Sequence, residues 1–160
     1  MSEAPLFYQP ETVRPENSVG YLINRVAQSL GRELDHRMSA LGLTDAQWKP
    51  LLLLQQGTCL TAADIARYAC HDTGAVTRVL DRLESKGLIQ RVRSASDRRV
   101  VNLQLTEEGA QIAAEVPKIL ADLLNQLLVG FSAEEFALLS ELLQRVLVNV
   151  RAASGEGAAQ

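Results

Sequence analysis

The chain has 160 residues, an ordinary apolar content of 47% and a formal net charge of −3. These values are typical of a globular protein with a real core and exclude a chain that is disordered throughout. No apolar run approaches the roughly 18–20 residues that span a bilayer, and the N-terminus lacks the pattern of a secretory signal. We therefore expect a cytoplasmic protein that does not enter the membrane.

The charge is distributed unevenly along the chain. Residues 59–105 hold eight Lys or Arg and five Asp or Glu, so a basic middle lies between acidic flanks. Such a middle is typical of a segment that binds a polyanion. A difference this small also arises by chance, so the charge alone does not decide the function.

The chain opens with an N-terminal extension, residues 1–17, and a long helix. Residues 18–43 place apolar side chains at helical spacing, with Ser18 as the N-cap and Gly42 as the C-terminal stop. The apolar face of this helix is wide. We interpret the segment as the first dimerisation helix.

Residues 44–105 predict a DNA-binding lobe. Two capping patterns, Thr44-x-x-Gln47 and Thr61-x-x-Asp64, mark the starts of a second helix and a short third helix. A tight turn and a fourth helix complete a helix-turn-helix. Residues 88–105 then read as two strands joined by a polar loop, and the alternation in the second strand predicts one buried face. The whole segment is a winged helix-turn-helix.

Two long helices are predicted over residues 106–152, with N-caps at Thr106 and Ser132, and the tail 153–160 is expected to be disordered. The predicted fold class is mainly α with a small β-hairpin: a winged helix-turn-helix with N- and C-terminal dimerisation helices. The first and last helices carry wide apolar faces with little in a monomer to bury them. We therefore expect an obligate homodimer with a two-fold axis.

The fourth helix carries residue types that suit a DNA groove. Small residues allow close approach, and hydroxyls and arginines contact base edges or phosphates. The side opposite the apolar face offers Thr73, Gly74, Ala75, Thr77, Arg78 and Arg82. The alternative is a solvated helix face, on which Arg78 balances Asp81 and Arg82 balances Glu84.

The hairpin loop carries Asp97, Arg98 and Arg99. A hairpin tip of this kind can reach a minor groove, whose negative potential attracts an inserted arginine. Asp97 is a poor DNA contact by itself. We expect it to hold an arginine in one orientation through a charge-assisted hydrogen bond.

Residues 72–109, DTGAVTRVLDRLESKGLIQRVRSASDRRVVNLQLTEEG, resemble the recognition helix, wing and following cap of the MarR family of bacterial transcription regulators. The Asp-Arg-Arg wing and the Leu-Thr-x-x-Gly pattern are the most specific parts, and the helix order is similar over about residues 18–150. The resemblance implies a dimer that binds palindromic double-stranded DNA, usually as a repressor released by a small molecule. It also implies that Asp97 orients Arg99 in the minor groove and that Arg98 faces the backbone. The groove-facing positions of the family match Thr73, Ala75, Thr77, Arg78 and Arg82.

The resemblance suggests two further sites. Many members bind aromatic or phenolic acids between the dimerisation helices and the lobe, which makes His36, Arg37 and Trp48 candidates. Trp48 also fits a core anchor, and His36 fits a surface or interface position. Some relatives sense oxidants through cysteine, for which Cys70 beside His71 is better placed than Cys59, although a buried structural thiol is the alternative.

No motif points to an enzyme. The chain has no phosphate loop, no nucleophile elbow and no paired metal-binding histidines, and its cysteines and histidines lack zinc spacing. We therefore expect no catalysis, no metal and no cofactor. Two alternatives to a ligand-responsive repressor remain open: a winged-helix module that binds an acidic protein partner, and an oxidant-sensing regulator that uses Cys70.

Overall fold

The computed structural model describes residues 6–69, 73–94, 97 and 99–154. Cys70, Arg98 and residues 155–160 of the tail lie outside the described residues, as does the side chain of Thr73. The chain divides into two compact units between residues 120 and 121.

The described residues form mostly helix with one antiparallel hairpin, which confirms the predicted fold class. A 3-10 turn, Pro15–Asn17, precedes the first α-helix. The order of elements is α1 (Val19–Ser39), α2 (Asp45–Gln55), α3 (Ala62–Ala69), α4 (Thr73–Ser85), β1 (Ile89–Arg93), β2 (Val101–Leu105), α5 (Glu107–Leu127) and α6 (Ala133–Ala153).

Hydroxyl side chains and glycines define the helix ends that the sequence predicted. Four hydroxyls accept a hydrogen bond, at 3.0–3.2 Å, from the main-chain N–H three residues later: Ser18, Thr61, Thr106 and Ser132. These bonds satisfy N–H groups that have no partner inside a helix. Gly42 and Gly87 follow α1 and α4 with φ of +67° and +72°, a conformation that glycine adopts at little cost.

The core of the first unit lies where α2, α4 and the hairpin meet. α4 packs against α2, α3 and β1, and α2 also packs against α1 and β2. The fully buried side chains include Met38, Leu51, Ile65, Leu80, Leu83 and Ile89. Burying a side chain of this size contributes about 1.5–3 kcal/mol, so this core holds α4 against α2, α3 and β1.

The hairpin leaves the core as it approaches its loop. β1 and β2 pair with Ile89 opposite Leu105 and Arg93 opposite Val101. Leu103 is buried, and its N–H donates to the Leu60 carbonyl at 2.8 Å, which fixes the hairpin to the segment before α3. Val101, on the same side of the strand, is 43% exposed. The buried face predicted for β2 is therefore limited to its core-proximal part, because the rest projects as a wing.

The start of α5 is fixed against the end of α4. The Thr106 hydroxyl donates to the Gly87 carbonyl at 2.6 Å, and the Thr106 N–H donates to the Leu88 carbonyl at 3.1 Å. A Cβ atom added to Gly109 would lie 1.8 Å from the Leu88 oxygen. The close approach explains the Thr-x-x-Gly pattern, because a residue with a Cβ atom at position 109 would clash with the Leu88 carbonyl.

The second unit has little core of its own. Among its described residues, Leu123 is the only buried apolar one, and α6 contains no buried residue at all. The predicted stripe of α6 is between 36% and 56% exposed: Phe136, Leu139, Leu143, Val146 and Val150. In the described part of the chain, no helix has the length and apolar character needed to cross a membrane.

Candidate nucleic-acid interface

α4 separates its apolar and polar sides as the sequence predicted. Val76, Leu80 and Leu83 are buried and hold the helix on the core. Gly74, Thr77, Arg78 and Arg82 are exposed on the rest of the surface, and Ala75 is half-buried. The helix therefore presents a surface of small, hydroxyl and basic side chains.

The acidic residues of α4 are bound by the wing and not by the arginines of the helix. Asp81 Oδ1 lies 2.7 Å from Nη2 of Arg91, and Glu84 Oε2 binds Nη1 of the same guanidinium. Neither Arg78 nor Arg82 forms an ion pair within the described residues. The proposed balance of Arg78 with Asp81 and of Arg82 with Glu84 is therefore wrong, because Arg91 reaches both carboxylates from β1.

The two carboxylates hold Arg91 in its charged form. The hydrogen bond to Asp81 is the largest cause that raises the pKa of the Arg91 guanidinium above its already high value, and Glu84 adds to it. A guanidinium does not lose its proton in proteins. The positive charge that Arg91 brings to Asp81 and Glu84 is therefore permanent.

Asp97 organises the wing through the main chain. Its Oδ1 accepts the Arg99 main-chain N–H at 2.9 Å, while its own N–H donates to the Ser94 hydroxyl at 3.3 Å. The Val100 N–H donates to the Asp97 carbonyl at 3.0 Å, which closes the turn. Our expectation of a bond from Asp97 to an arginine side chain requires correction for Arg99, since the carboxylate binds the Arg99 main chain. Asp97 and Arg99 are both exposed.

Asp64 fixes the start of α3, a role that the capping pattern predicted only in part. Its Oδ2 accepts from the Thr61 hydroxyl at 2.8 Å and from the N–H groups of Thr61 and Leu60, while Oδ1 lies 2.5 Å from Arg67. These bonds, the Thr61 hydroxyl first, lower the pKa of Asp64. The carboxylate thus supports the same residue, Leu60, whose carbonyl holds β2.

Lys86 is a residue that sequence reasoning missed. Its ammonium donates to the Gly42 carbonyl at 2.6 Å and to Oε1 of the buried Gln47 at 2.9 Å. The same Oε1 accepts the Thr44 N–H at 3.2 Å. The end of α4 is therefore tied to the start of α2. No sequence signal pairs residues 39 positions apart, although a buried glutamine side chain such as that of Gln47 requires a polar partner.

The predicted ligand residues are engaged in local contacts. Trp48 is buried, its Nε1 donates to Asp45 Oδ1 at 3.0 Å, and the Lys49 ammonium lies 5.4 Å from its ring centroid. Arg37 forms an ion pair with Glu33 at 2.8 Å. His36 is exposed. Trp48 thus has the burial of a core anchor.

Cys59 has the surroundings of a structural thiol. It is buried, and burial is the main cause that raises the pKa of its thiol. A raised pKa leaves less of the reactive thiolate. Among the described residues, no group of three or more His, Cys, Asp or Glu side chains is arranged to hold a metal ion.

Similarity to known proteins identifies the family. A family model described as "MarR family" matches residues 43–101. The "Multiple antibiotic resistance protein MarR" of Escherichia coli (strain K12) is 36% identical over 130 residues, which is 81% of this chain and 90% of that protein. The chain belongs to the MarR family.

Two solved structures superpose on the chain. A mutant MarR from E. coli complexed with operator DNA has a TM-score of 0.73 at 37% identity, covering 81% of this chain and 93% of that one. The S. aureus MepR–DNA complex has a TM-score of 0.76 at 26% identity, covering 82% and 98%. The chain therefore has the winged helix-turn-helix fold of MarR proteins.

Proposed function

We propose that the chain is a dimeric, sequence-specific DNA-binding transcription regulator. The observation that carries the proposal is the surface of α4, where Arg78 and Arg82 are exposed while both nearby carboxylates are bound by Arg91. Such a surface attracts phosphates and guanine edges. Relatives from E. coli and S. aureus have been solved in complex with DNA, which supports the same role here.

In this proposal α4 enters the major groove. Gly74 and Ala75 allow the helix to approach closely, and Arg78 and Arg82 bind guanine edges or phosphates. The Thr77 hydroxyl contacts a base edge or a phosphate, and Thr73 takes the same role at the start of the helix. These side chains supply the sequence preference, because each base pair has its own pattern of donors and acceptors in the major groove.

The wing supplies a second contact. Arg99 enters the minor groove next to the α4 contact, where negative potential favours an inserted guanidinium, and Arg98 faces the phosphate backbone. Asp97 keeps the turn in one shape by accepting the Arg99 N–H. Asp97→Asn retains an oxygen that can accept this bond, whereas Asp97→Ala removes it, so we expect the alanine variant to bind DNA more weakly.

Homodimerisation follows from the apolar surfaces of α1 and α6. Val19, Leu22, Ile23 and Val26 of α1 are exposed, and α6 exposes its whole apolar stripe. Exposed apolar side chains that repeat along one face of a helix mark an interaction surface in soluble proteins. A two-fold dimer carries two copies of α4, which match a palindromic operator with half-sites about 10 base pairs apart or a multiple of that spacing.

Duplex titration tests the DNA proposal. Wild type is titrated at several salt concentrations against labelled DNA from upstream of its own gene and against a scrambled duplex. Arg99→Ala is measured alongside Arg145→Ala, which removes the same charge from α6. We expect preference for the upstream duplex, a steep salt dependence and a loss in Arg99→Ala only. Weak binding that ignores sequence and Arg99 would contradict the proposal and favour the protein-interaction module.

We further propose that the regulator is a repressor released by a small aromatic or phenolic acid, with His36, Arg37 and Trp48 near the ligand. An acid would compete with Glu33 for Arg37. Trp48 is the single tryptophan, so its fluorescence reports binding nearby. Titration with simple benzoates should change Trp48 emission and lower DNA affinity, and Arg37→Ala should weaken both effects. Emission that stays constant while DNA is released would contradict this ligand site.

The oxidant-sensing alternative depends on Cys70, because Cys59 is buried and burial raises the pKa of its thiol. Peroxide treatment of wild type, Cys59→Ser and Cys70→Ser, followed by DNA titration, tests it. Loss of DNA binding in wild type and Cys59→Ser, but not in Cys70→Ser, would support the alternative. An equal response of all three proteins would eliminate it.

A further inference from the structure

Arg91 joins the two elements that would contact DNA. It lies on β1 of the wing, and its guanidinium forks between Asp81 and Glu84 of α4. A single arginine that binds two carboxylates fixes their positions more strongly than a single ion pair does. The alternative considered from the sequence paired these two carboxylates with Arg78 and Arg82 of the same helix.

Asp81 occupies a position where an acid is unfavourable for DNA binding. It follows Gly74 by seven residues, Thr77 by four and Arg78 by three, so helical geometry puts all four on one side of α4. The side chain of Asp81 is 57% exposed and that of Glu84 is 39% exposed. Two negative charges on or beside a surface that approaches phosphates oppose association.

The ion pairs contribute little to folding by comparison. Pairs between partly exposed side chains stabilise proteins weakly, because water and salt screen them. DNA changes this balance, because it brings a dense row of phosphates to the surface. The guanidinium that neutralises Asp81 and Glu84 therefore has a larger effect on the bound state than on the stability of the protein alone.

We propose that Arg91 is a positioning residue for DNA recognition, which acts by holding the carboxylates of Asp81 and Glu84 and thereby keeps the α4 surface attractive to phosphates. The inference rests on the proposed function. Arg91 acts through the two carboxylates and not through a contact of its own with a base.

Four variants test the inference by duplex titration at one moderate salt concentration: Arg91→Ala, Arg93→Ala, the triple variant Arg91→Ala/Asp81→Asn/Glu84→Gln, and the double variant Asp81→Asn/Glu84→Gln. Arg93 is the matched control, because it lies two residues further along β1, on the same side of the strand, and forms no ion pair within the described residues. Thermal unfolding of each variant is recorded in parallel.

We expect Arg91→Ala to weaken binding about tenfold more than Arg93→Ala, since it exposes two like charges to the phosphates. The triple variant should recover most of this loss although it still lacks Arg91. The double variant should bind as wild type does or more tightly, because it frees the guanidinium. Rescue by neutral side chains is a result that a purely structural role of Arg91 does not produce.

Two results would overturn the inference: equal losses in Arg91→Ala and Arg93→Ala, or a triple variant that binds no better than Arg91→Ala. If Arg91→Ala unfolds, the double variant Asp81→Asn/Glu84→Gln still tests the inference. Weaker DNA binding by this variant than by wild type would show that the carboxylates help recognition, and this would overturn the inference. A wild type that binds no duplex with sequence preference would instead contradict the proposed function itself.

Discussion

The two units of this chain differ in how they are stabilised. The first contains a closed core, in which side chains from α2, α4 and the hairpin are fully buried, and polar contacts such as the Lys86–Gln47 bond close the junctions between elements. The second contains α6, a helix of 21 residues without one buried residue. An isolated helix of this length is marginally stable in water without packing.

The difference indicates that the first unit presents the DNA-binding surface and the second mediates association with a partner. A unit that satisfies its own core can present a rigid surface, and rigid placement is what groove recognition requires. A helix with an unsatisfied apolar stripe obtains its stability from a partner, and a second copy of the chain supplies an identical stripe. Substitutions in each unit test this difference.

Gly109→Ala should have the largest effect on the first unit. The new Cβ would lie 1.8 Å from the Leu88 oxygen, and backbone atoms cannot give way cheaply. We expect a loss of about 3 kcal/mol or more in the free energy of unfolding, measured by urea denaturation. Gly31→Ala in α1 is the control, because nothing lies within 4 Å of the added atom, and it should be neutral or stabilising by about 0.5–1 kcal/mol. Equal effects at both glycines would contradict the close packing at Leu88.

Leu143→Arg should act on the second unit through self-association. A charge in the middle of the α6 stripe opposes burial against another chain, so we expect the variant to sediment as a monomer and to bind operator DNA at least about tenfold more weakly. Glu141→Arg, on the opposite side of α6, introduces the same side chain and should stay dimeric. A dimeric Leu143→Arg protein would show that the stripe is not the interface.

Asp64→Asn should have a smaller, pH-dependent effect. The folded state lowers the pKa of Asp64, so the carboxylate stabilises the fold above its unfolded pKa of about 3.9. This stabilisation is lost as pH falls through the folded pKa. We expect Asn to cost about 1 kcal/mol at neutral pH and the gap from wild type to shrink below about pH 4. Thermal unfolding between pH 7 and pH 3 measures this, with Asp122→Asn as the control, and a constant gap would contradict it.

Much of the fold could be predicted from the sequence because its signals are local. Caps such as Ser18, Thr61 and Ser132 bind N–H groups three residues away, and helical periodicity alone separates the buried side of α4 from its exposed side. The wing also has a local signal, since turn residues and alternating strands lie next to each other. The burial predicted for one face of β2 extends too far, because Val101 at the outer end of the strand is exposed. Alternation does not reveal where a strand leaves the core.

The contacts that fix the candidate interface are less accessible to sequence reasoning. Asp81 and Glu84 form ion pairs with Arg91 and not with Arg78 or Arg82, which lie closer in the sequence. This pairing depends on where β1 lies relative to α4. The bond from Lys86 to Gln47 likewise depends on how α4 packs against α2. Gly109 was visible as part of a pattern, but its cause, the Leu88 carbonyl, becomes apparent only in three dimensions.

The measurement to make first is sedimentation analysis of the full chain, alone and mixed with a DNA duplex from upstream of its own gene. We expect the unbound protein to have twice the 17.5 kDa chain mass and the complex to contain two chains per palindromic site. A protein that remains monomeric well above the concentration at which it binds DNA, or a complex with one chain per site, would contradict the account of a self-contained lobe joined to its partner through α6.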